Sequence, residues 1–168
     1  HIGWFYHFLH QEFAPLFPNF FVVGHLLIRR PNINHMNPNN YTAQASAIIQ
    51  QAMTFAQEGG QQAIETGHLL LAILQDDTQT SAFLLKKLGL SPSQIKTVLG
   101  PVLATYPKVS GDQPYASNGL QQALQRADKI KTDLGDSYVS VEVLFLSLLD
   151  GNDAVADALK KLGLTTKN

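Results

Sequence analysis

The sequence predicts an all-α domain: a tandem pseudo-twofold repeat of a four-helix motif, with the last helix of the second copy cut short. Three observations carry this. The stretch from Thr66 to Ser91, TGHLLLAILQDDTQTSAFLLKKLGLS, returns from Ser140 to Thr165, where a shift of 74 residues lays Leu70 on Leu144 and LKKLGL on LKKLGL over 26 positions without a gap. Upstream the shift is 75, setting Ala45 on Leu120, Ile49 on Leu124 and Ala52 on Ala127. Apolar residues follow the helical i, i+3, i+4, i+7 spacing in both copies, and no stretch alternates cleanly enough for a sheet. Helix-capping residues stand at matching places.

The chain divides into four parts. Residues 1–35 precede the repeat, 36–105 form the first copy, 106–116 connect, and 117–168 form the second. The leading segment is compositionally distinct, holding eight of the fifteen aromatic residues and five of the six histidines. Its apolar run is broken by Pro15, Pro18, Gly24 and His25, unlike a membrane span of roughly 20 apolar residues. It reads first as an upstream leader or an expression artefact and second as a secretory signal, and poor order is expected there. His7 and His10 lack a framing carboxylate and make a poor metal site.

In the first copy Thr42 caps a helix whose inward face is Ala45, Ile48, Ile49, Ala52, Phe55 and Ala56, and Gly59-Gly60 ends it. Thr66 is expected to cap a second helix with Leu69, Leu70, Ile73 and Leu74 inward, ended by Asp76-Asp77. A short third helix over about 81–88 closes on Lys86-Lys87 and Gly89. Ser91-Pro92-Ser93-Gln94 combines a serine cap, proline at N1 and a capping box, opening a fourth helix that Pro101 must bend or end. After the connector, Ser117 caps a helix bearing Leu120, Ala123, Leu124, Ala127 and Ile130, which Gly135 terminates. Ser140 caps the next, with Glu142 in its first turn. Residues 154–162 repeat the short helix, and Thr165 stands where a fourth would begin. Each copy alone offers too little core, so the seam between them is the expected place for a groove.

The bulk numbers exclude several functions. The chain is 45% hydrophobic and 15% charged, with a net charge of -1, which leaves no basic stripe for nucleic acid or an anionic membrane. Zero cysteine removes disulfides and thiolate chemistry, and suits a reducing compartment. Enzyme chemistry would have to start from His68, Glu65, Asp76, Asp136 or Glu142, yet no His-Glu-x-x-His, Gly-x-Ser-x-Gly or Gly-x-x-x-x-Gly-Lys-Ser/Thr spacing occurs. His68 reads as a structural histidine in a first helical turn.

With these residues in view, QAIETGHLLLAIL from Gln62 to Leu74, YPKVSG from Tyr106 to Gly111 and GDSYVSVEVL from Gly135 to Leu144 resemble the N-terminal repeat domain of the Clp chaperones, most closely the ClpB type. The resemblance implies a non-enzymatic, cytoplasmic module at the entrance of an AAA+ hexamer, which contacts exposed apolar segments of unfolded or aggregated proteins and delivers them to the pore. ATP and magnesium would belong to the ATPase domains of a parent protein, with no cofactor in this segment. Partners would be protein clients and those AAA+ domains, not nucleic acid or membrane. It also implies a substrate-binding set of Thr42, Ala45, Leu120, Asp136, Glu142 and Val143, where Ala45 and Val143 are smaller than the family's usual residues. The other reading is an adaptor-docking domain of a ClpC/ClpA-type unfoldase, held by polar contacts at Asp136 and Glu142. A hydrolytic repeat protein is a distant third.

Overall fold

The computed structural model describes residues 20–23, 26–29, 37–76, 79–109 and 113–165. Two units are distinguished, His1–Asn32 and Ile33–Asn168. In the first, β1 (Phe20–Val23) and β2 (Leu26–Arg29) pair antiparallel, with Phe20 opposite Arg29 and Val23 opposite Leu26. This corrects the expectation of no sheet. Two short apolar runs, FFVV and LLIR, separated by two residues beginning with glycine are a hairpin signal, which exclusion of the leading segment from the fold reasoning passed over. His7 and His10, and the order of the rest of that segment, lie outside the described residues.

The second unit is helical: α1 (Ala43–Glu58), α2 (Thr66–Gln75), α3 (Gln79–Lys87), α4 (Pro92–Ala104), α5 (Asn118–Leu134), α6 (Val141–Leu149) and α7 (Ala154–Lys161). The duplication is visible in how they meet. α1 lies along α2 as α5 lies along α6, while α1 touches α6 as α2 touches α5, and α3 touches α6 as α2 touches α7. α4 covers α2 and α7. One core results, containing Ala45, Ile49, Leu69, Leu70 and Ile73 from the first copy with Leu120, Leu124, Val143, Leu144 and Leu148 from the second. The seam between the copies carries this shared core. Two half-cores meet there, and their apolar faces remove one another from water.

The copies are also cross-linked through the backbone. β3 (Ala63–Ile64), between α1 and α2, pairs parallel with β4 (Tyr115–Ala116), which precedes α5. The twofold mate of this ladder is a parallel bridge between Tyr41, preceding α1, and Val139, between α5 and α6. The Ser117 amide donates to the Ile64 carbonyl at 3.0 Å, and the Thr42 amide to the Val139 carbonyl at 3.0 Å. Each copy thus begins its first helix on a rung supplied by the other. Such two-residue pairings escape any search for alternation, because buried helices on both sides hold them.

Most caps form as the sequence predicts. Thr42, Ser91, Ser117 and Ser140 accept from the amides of Ala45, Gln94, Leu120 and Val143. Gly135 takes φ +76°, and the Asp136 amide beyond it donates to the Lys131 carbonyl at 2.9 Å. One expectation fails, and one of two alternatives at Pro101 is decided. Glu65 rather than Thr66 is the cap of α2, because His68 Nδ1 accepts from the Glu65 amide at 3.0 Å while the Thr66 hydroxyl donates to Asp153 Oδ2 across the seam at 2.6 Å. Pro101 does not end α4, which runs on to Ala104. Pro101 and Thr97 are exposed, so water can satisfy the carbonyl that proline leaves without a donor.

Because both copies share one core, removing a side chain from either should loosen both. Leu144→Ala, at a fully buried seam position, should cost about 2–5 kcal/mol in urea unfolding. Amide exchange should accelerate together in α2 and α6; acceleration confined to α5–α7 would show independent copies.

Candidate functional site

Five of the six residues implied by the resemblance gather around one rung of the inter-copy pairing. Thr42 is half-buried, caps α1 through its hydroxyl at 3.1 Å from the Ala45 amide, and donates its own amide to Val139. Asp136 stands three residues before Val139 on the exposed turn after Gly135, and Glu142 three residues after it, half-buried in the first turn of α6. Ala45 and Val143 lie one turn into their helices and are 0% and 2% exposed. They form the floor under this surface rather than its wall. Leu120, 2% exposed, belongs elsewhere. It is the twofold mate of Ala45 and sits beside the Ser117–Ile64 rung, so symmetry separates it from the other five.

Two residues overlooked in the sequence complete the surface. Leu134, the last residue of α5, is 60% exposed, and Tyr138, whose neighbour Val139 is fully buried, is 54% exposed. They flank Asp136 at two residues on either side. Large apolar side chains left in water on both sides of a carboxylate are a recognisable interaction feature. The signal available beforehand was the comparison of copies: the mates of Leu134 and Tyr138 are Gly59 and Ala63, so only the second copy carries the apolar pair.

A second concavity lies within the first copy. A cleft of about 310 Å³ between α1 and α2 has Ile48 and Ala72 as its buried floor, with Phe55, Gln51, Gln75 and Asp76 around it. The Asp76 carboxylate accepts from Gln44 Nε2 at 2.8 Å and from the Ser81 hydroxyl at 2.7 Å.

The start of α2 holds a buried polar network. Tyr106, from the connector, accepts the Gly67 amide on its hydroxyl at 3.1 Å, and its ring lies 5.2 Å from that of His68. A Cβ on Gly67 would come within 2.5 Å of that hydroxyl, so glycine is required. His68 is 3% exposed, with Nδ1 accepting from Glu65 and Nε2 at 2.9 Å from Gln61 Oε1, an arrangement satisfied by the neutral ring with its proton on Nε2. Burial lowers its pKa to about 4. Burial likewise pushes the Tyr41 and Tyr106 phenols up to about 12. A histidine so held is structural, not a base poised for neutral pH. Among the described residues no group of three or more His, Asp or Glu is placed to hold a metal, and no helix is long and apolar enough to cross a membrane.

Two interlocked helical copies, with seven α-helices among the described residues of this unit and an apolar-flanked acidic turn, define a helical repeat domain. The chain belongs to the Clp repeat (R) N-terminal domain family, whose model matches residues 40–162. It is 36% identical over 132 residues to the chaperone protein ClpB of Bacteroides thetaiotaomicron, covering 79% of this chain and 15% of that protein. It is 38% identical over 113 residues to chaperone protein ClpB 1 of Synechococcus elongatus, covering 66% of this chain and 13% of that one. The chain therefore spans about 15% of the length of its full-length relatives. Its fold is similar to the crystal structure of the Hsp104 N-terminal domain from Candida albicans, with TM-score 0.66, 25% identity and coverage of 76% of this chain and 85% of that one. It is also similar to a ClpV N-domain solved as a complex with a VipB peptide, with TM-score 0.61, 20% identity and coverage of 72% and 78%.

The histidine network makes stability depend on pH. Because the folded pKa of about 4 lies below the unfolded value near 6.5, the unfolded chain binds the extra proton between these limits. Stability should be full above pH 6.5 and fall by up to about 3 kcal/mol on acidification to pH 4. His68→Gln, which keeps an acceptor for the Glu65 amide, should flatten the profile of urea midpoint against pH over that interval.

Proposed function

We propose that this domain is the client-binding N-terminal module of a ClpB-type, ATP-driven protein disaggregase, acting in the cytoplasm. It engages exposed apolar segments of unfolded or aggregated proteins and passes them to the pore of a parent hexamer, whose AAA+ domains would bind ATP and magnesium. The observation that carries this reading is the pair of exposed apolar residues, Leu134 and Tyr138, on either side of Asp136. A client segment would cover both side chains, while Asp136, Glu142 and Thr42 supply polar contacts at the edge and Ala45 and Val143 support the floor. Shallow apolar burial of this kind is weak and tolerant of sequence, which suits a module that must release what it binds. The names of the ClpB relatives support the role, and the complex of a ClpV N-domain with a VipB peptide supports peptide binding on this fold.

The exposed carboxylate of Asp136 and the helix-start carboxylate of Glu142 favour the alternative of adaptor docking in a ClpC/ClpA-type unfoldase. Ionic strength separates the two, since contacts between exposed charges are screened by salt and apolar burial is not. In an NMR titration with a permanently unfolded, apolar polypeptide at low and high salt, amide shifts around Thr42, Leu134, Asp136 and Tyr138 should appear and survive salt. Their absence at millimolar polypeptide would leave adaptor docking as the better account.

The pair Leu134→Ser and Tyr138→Ser should weaken this binding about tenfold while changing stability within about 0.5 kcal/mol per site, because neither side chain contributes buried core. Thr42→Ser should retain the cap and full stability, whereas Thr42→Ala should cost about 1 kcal/mol. Comparing their affinities where both are folded separates a contact made by Thr42 from its capping role.

A further inference from the structure

The turns that end α1 and α5 are built alike. The Gly60 amide donates to the Gln57 carbonyl at 3.0 Å and the Gln61 amide to the Ala56 carbonyl at 2.8 Å, while their mates Gly135 and Asp136 donate to Thr132 at 3.1 Å and Lys131 at 2.9 Å. Gly60 and Gly135 share the left-handed conformation, with φ +70° and +76°. What differs is the neighbour. In the first copy the connector passes beside the turn, and its Val109 and Tyr115 amides donate to the carbonyls of Gly60 and Gln62 at 3.1 and 2.9 Å.

In the second copy the mates of those two acceptors are Gly135 and Ser137. No donor among the described residues reaches either carbonyl. Asn40, the mate of Tyr115, turns its amide instead to the Asn37 carbonyl at 2.9 Å, within the short helical turn Pro38–Asn40. The two open carbonyls are separated by Asp136, whose carboxylate is a third acceptor. The whole run 134–138 is exposed, with Leu134 and Tyr138 at its ends. An unpaired backbone edge bordered by exposed apolar side chains is the kind of surface to which an extended peptide adds, main-chain bonds supplying affinity and side-chain contacts selectivity.

We propose that the turn after α5 binds an extended stretch of client backbone, which donates amides to the Gly135 and Ser137 carbonyls in the place that the connector takes against Gly60 and Gln62, while its side chains cover Leu134 and Tyr138. This mode rests on the client-binding reading above and adds the form in which a client is held. A helix cannot serve, because its amides are spent on its own carbonyls. An unfolded segment has free amides everywhere except at proline. Recognition of this kind therefore depends little on sequence, and it separates unfolded chain from folded helical protein.

The test uses the whole chain and two fluorescent peptides, read by anisotropy and by NMR. One is Ser-Gly-Leu-Ser-Phe-Ser-Leu-Gly-Ser; the other has esters in place of the amides of its Leu-to-Leu core, which keeps every side chain and removes the N–H donors. The ester peptide should bind about 25-fold more weakly, the loss of two backbone hydrogen bonds at about fivefold each. With the amide peptide, the carbonyl-carbon resonances of Gly135 and Ser137 should move together with the amides of Leu134 and Tyr138. The pair Leu134→Ser and Tyr138→Ser should weaken both peptides by the same factor, because it removes side-chain cover and leaves the carbonyls in place. Equal affinity of the two peptides, with shifts still centred on Leu134 and Tyr138, overturns the backbone mode and leaves the client surface standing. Absence of any shift over 134–138 at millimolar amide peptide overturns both.

Discussion

The constraint on which the helical unit depends is the exchange of backbone rungs between its two copies. Tyr41 pairs with Val139, and Ala63–Ile64 with Tyr115–Ala116, so the segment that launches the first helix of each copy is anchored on the other. An amide or carbonyl at the buried rung positions Ile64, Ala116 and Val139 would otherwise lack a partner, at a cost of a few kcal/mol. Once the rungs form, Thr42 and Ser117 are placed to cap α1 and α5. The apolar faces of both copies then close on a shared core. Thr66 adds a side-chain tie by donating to Asp153, which itself caps α7.

That interlock explains why the candidate surface lies where it does. The rung at Val139 brings the start of α1 beside the turn between α5 and α6, uniting Thr42 with Asp136 and Glu142, residues distant in the chain. Its twofold mate brings the start of α5 beside the segment before α2, where Tyr106 and His68 fill the space with a satisfied polar network. Two equivalent places therefore have different fates. One is closed and structural, and the other presents Leu134 and Tyr138 to solvent.

Local chemistry was largely legible in the residues. The helical period, the caps at Thr42, Ser91, Ser117 and Ser140, and the left-handed glycine at Gly135 depend on neighbours within a turn, so the sequence displays them directly. Thr66 was misplaced as a cap because its hydroxyl is taken by Asp153, 87 residues away. The candidate site divides on the same line. Thr42, Asp136 and Glu142 could be named from motif resemblance, whereas the burial of Ala45 and Val143 and the exposure of Leu134 and Tyr138 depend on which face the other copy covers.

By itself, then, the sequence determined that the domain is a helical duplication, where most of its helices begin and end, and to which family it belongs, because periodicity, capping and motif identity are properties of short stretches. The tertiary structure alone decided that the apolar faces of both copies close on one core, that the rungs cross between copies, and that Leu134 and Tyr138 are left in water. These outcomes depend on side-chain volume and hydrogen-bond partners meeting across long sequence separations, and only the packed chain brings them together.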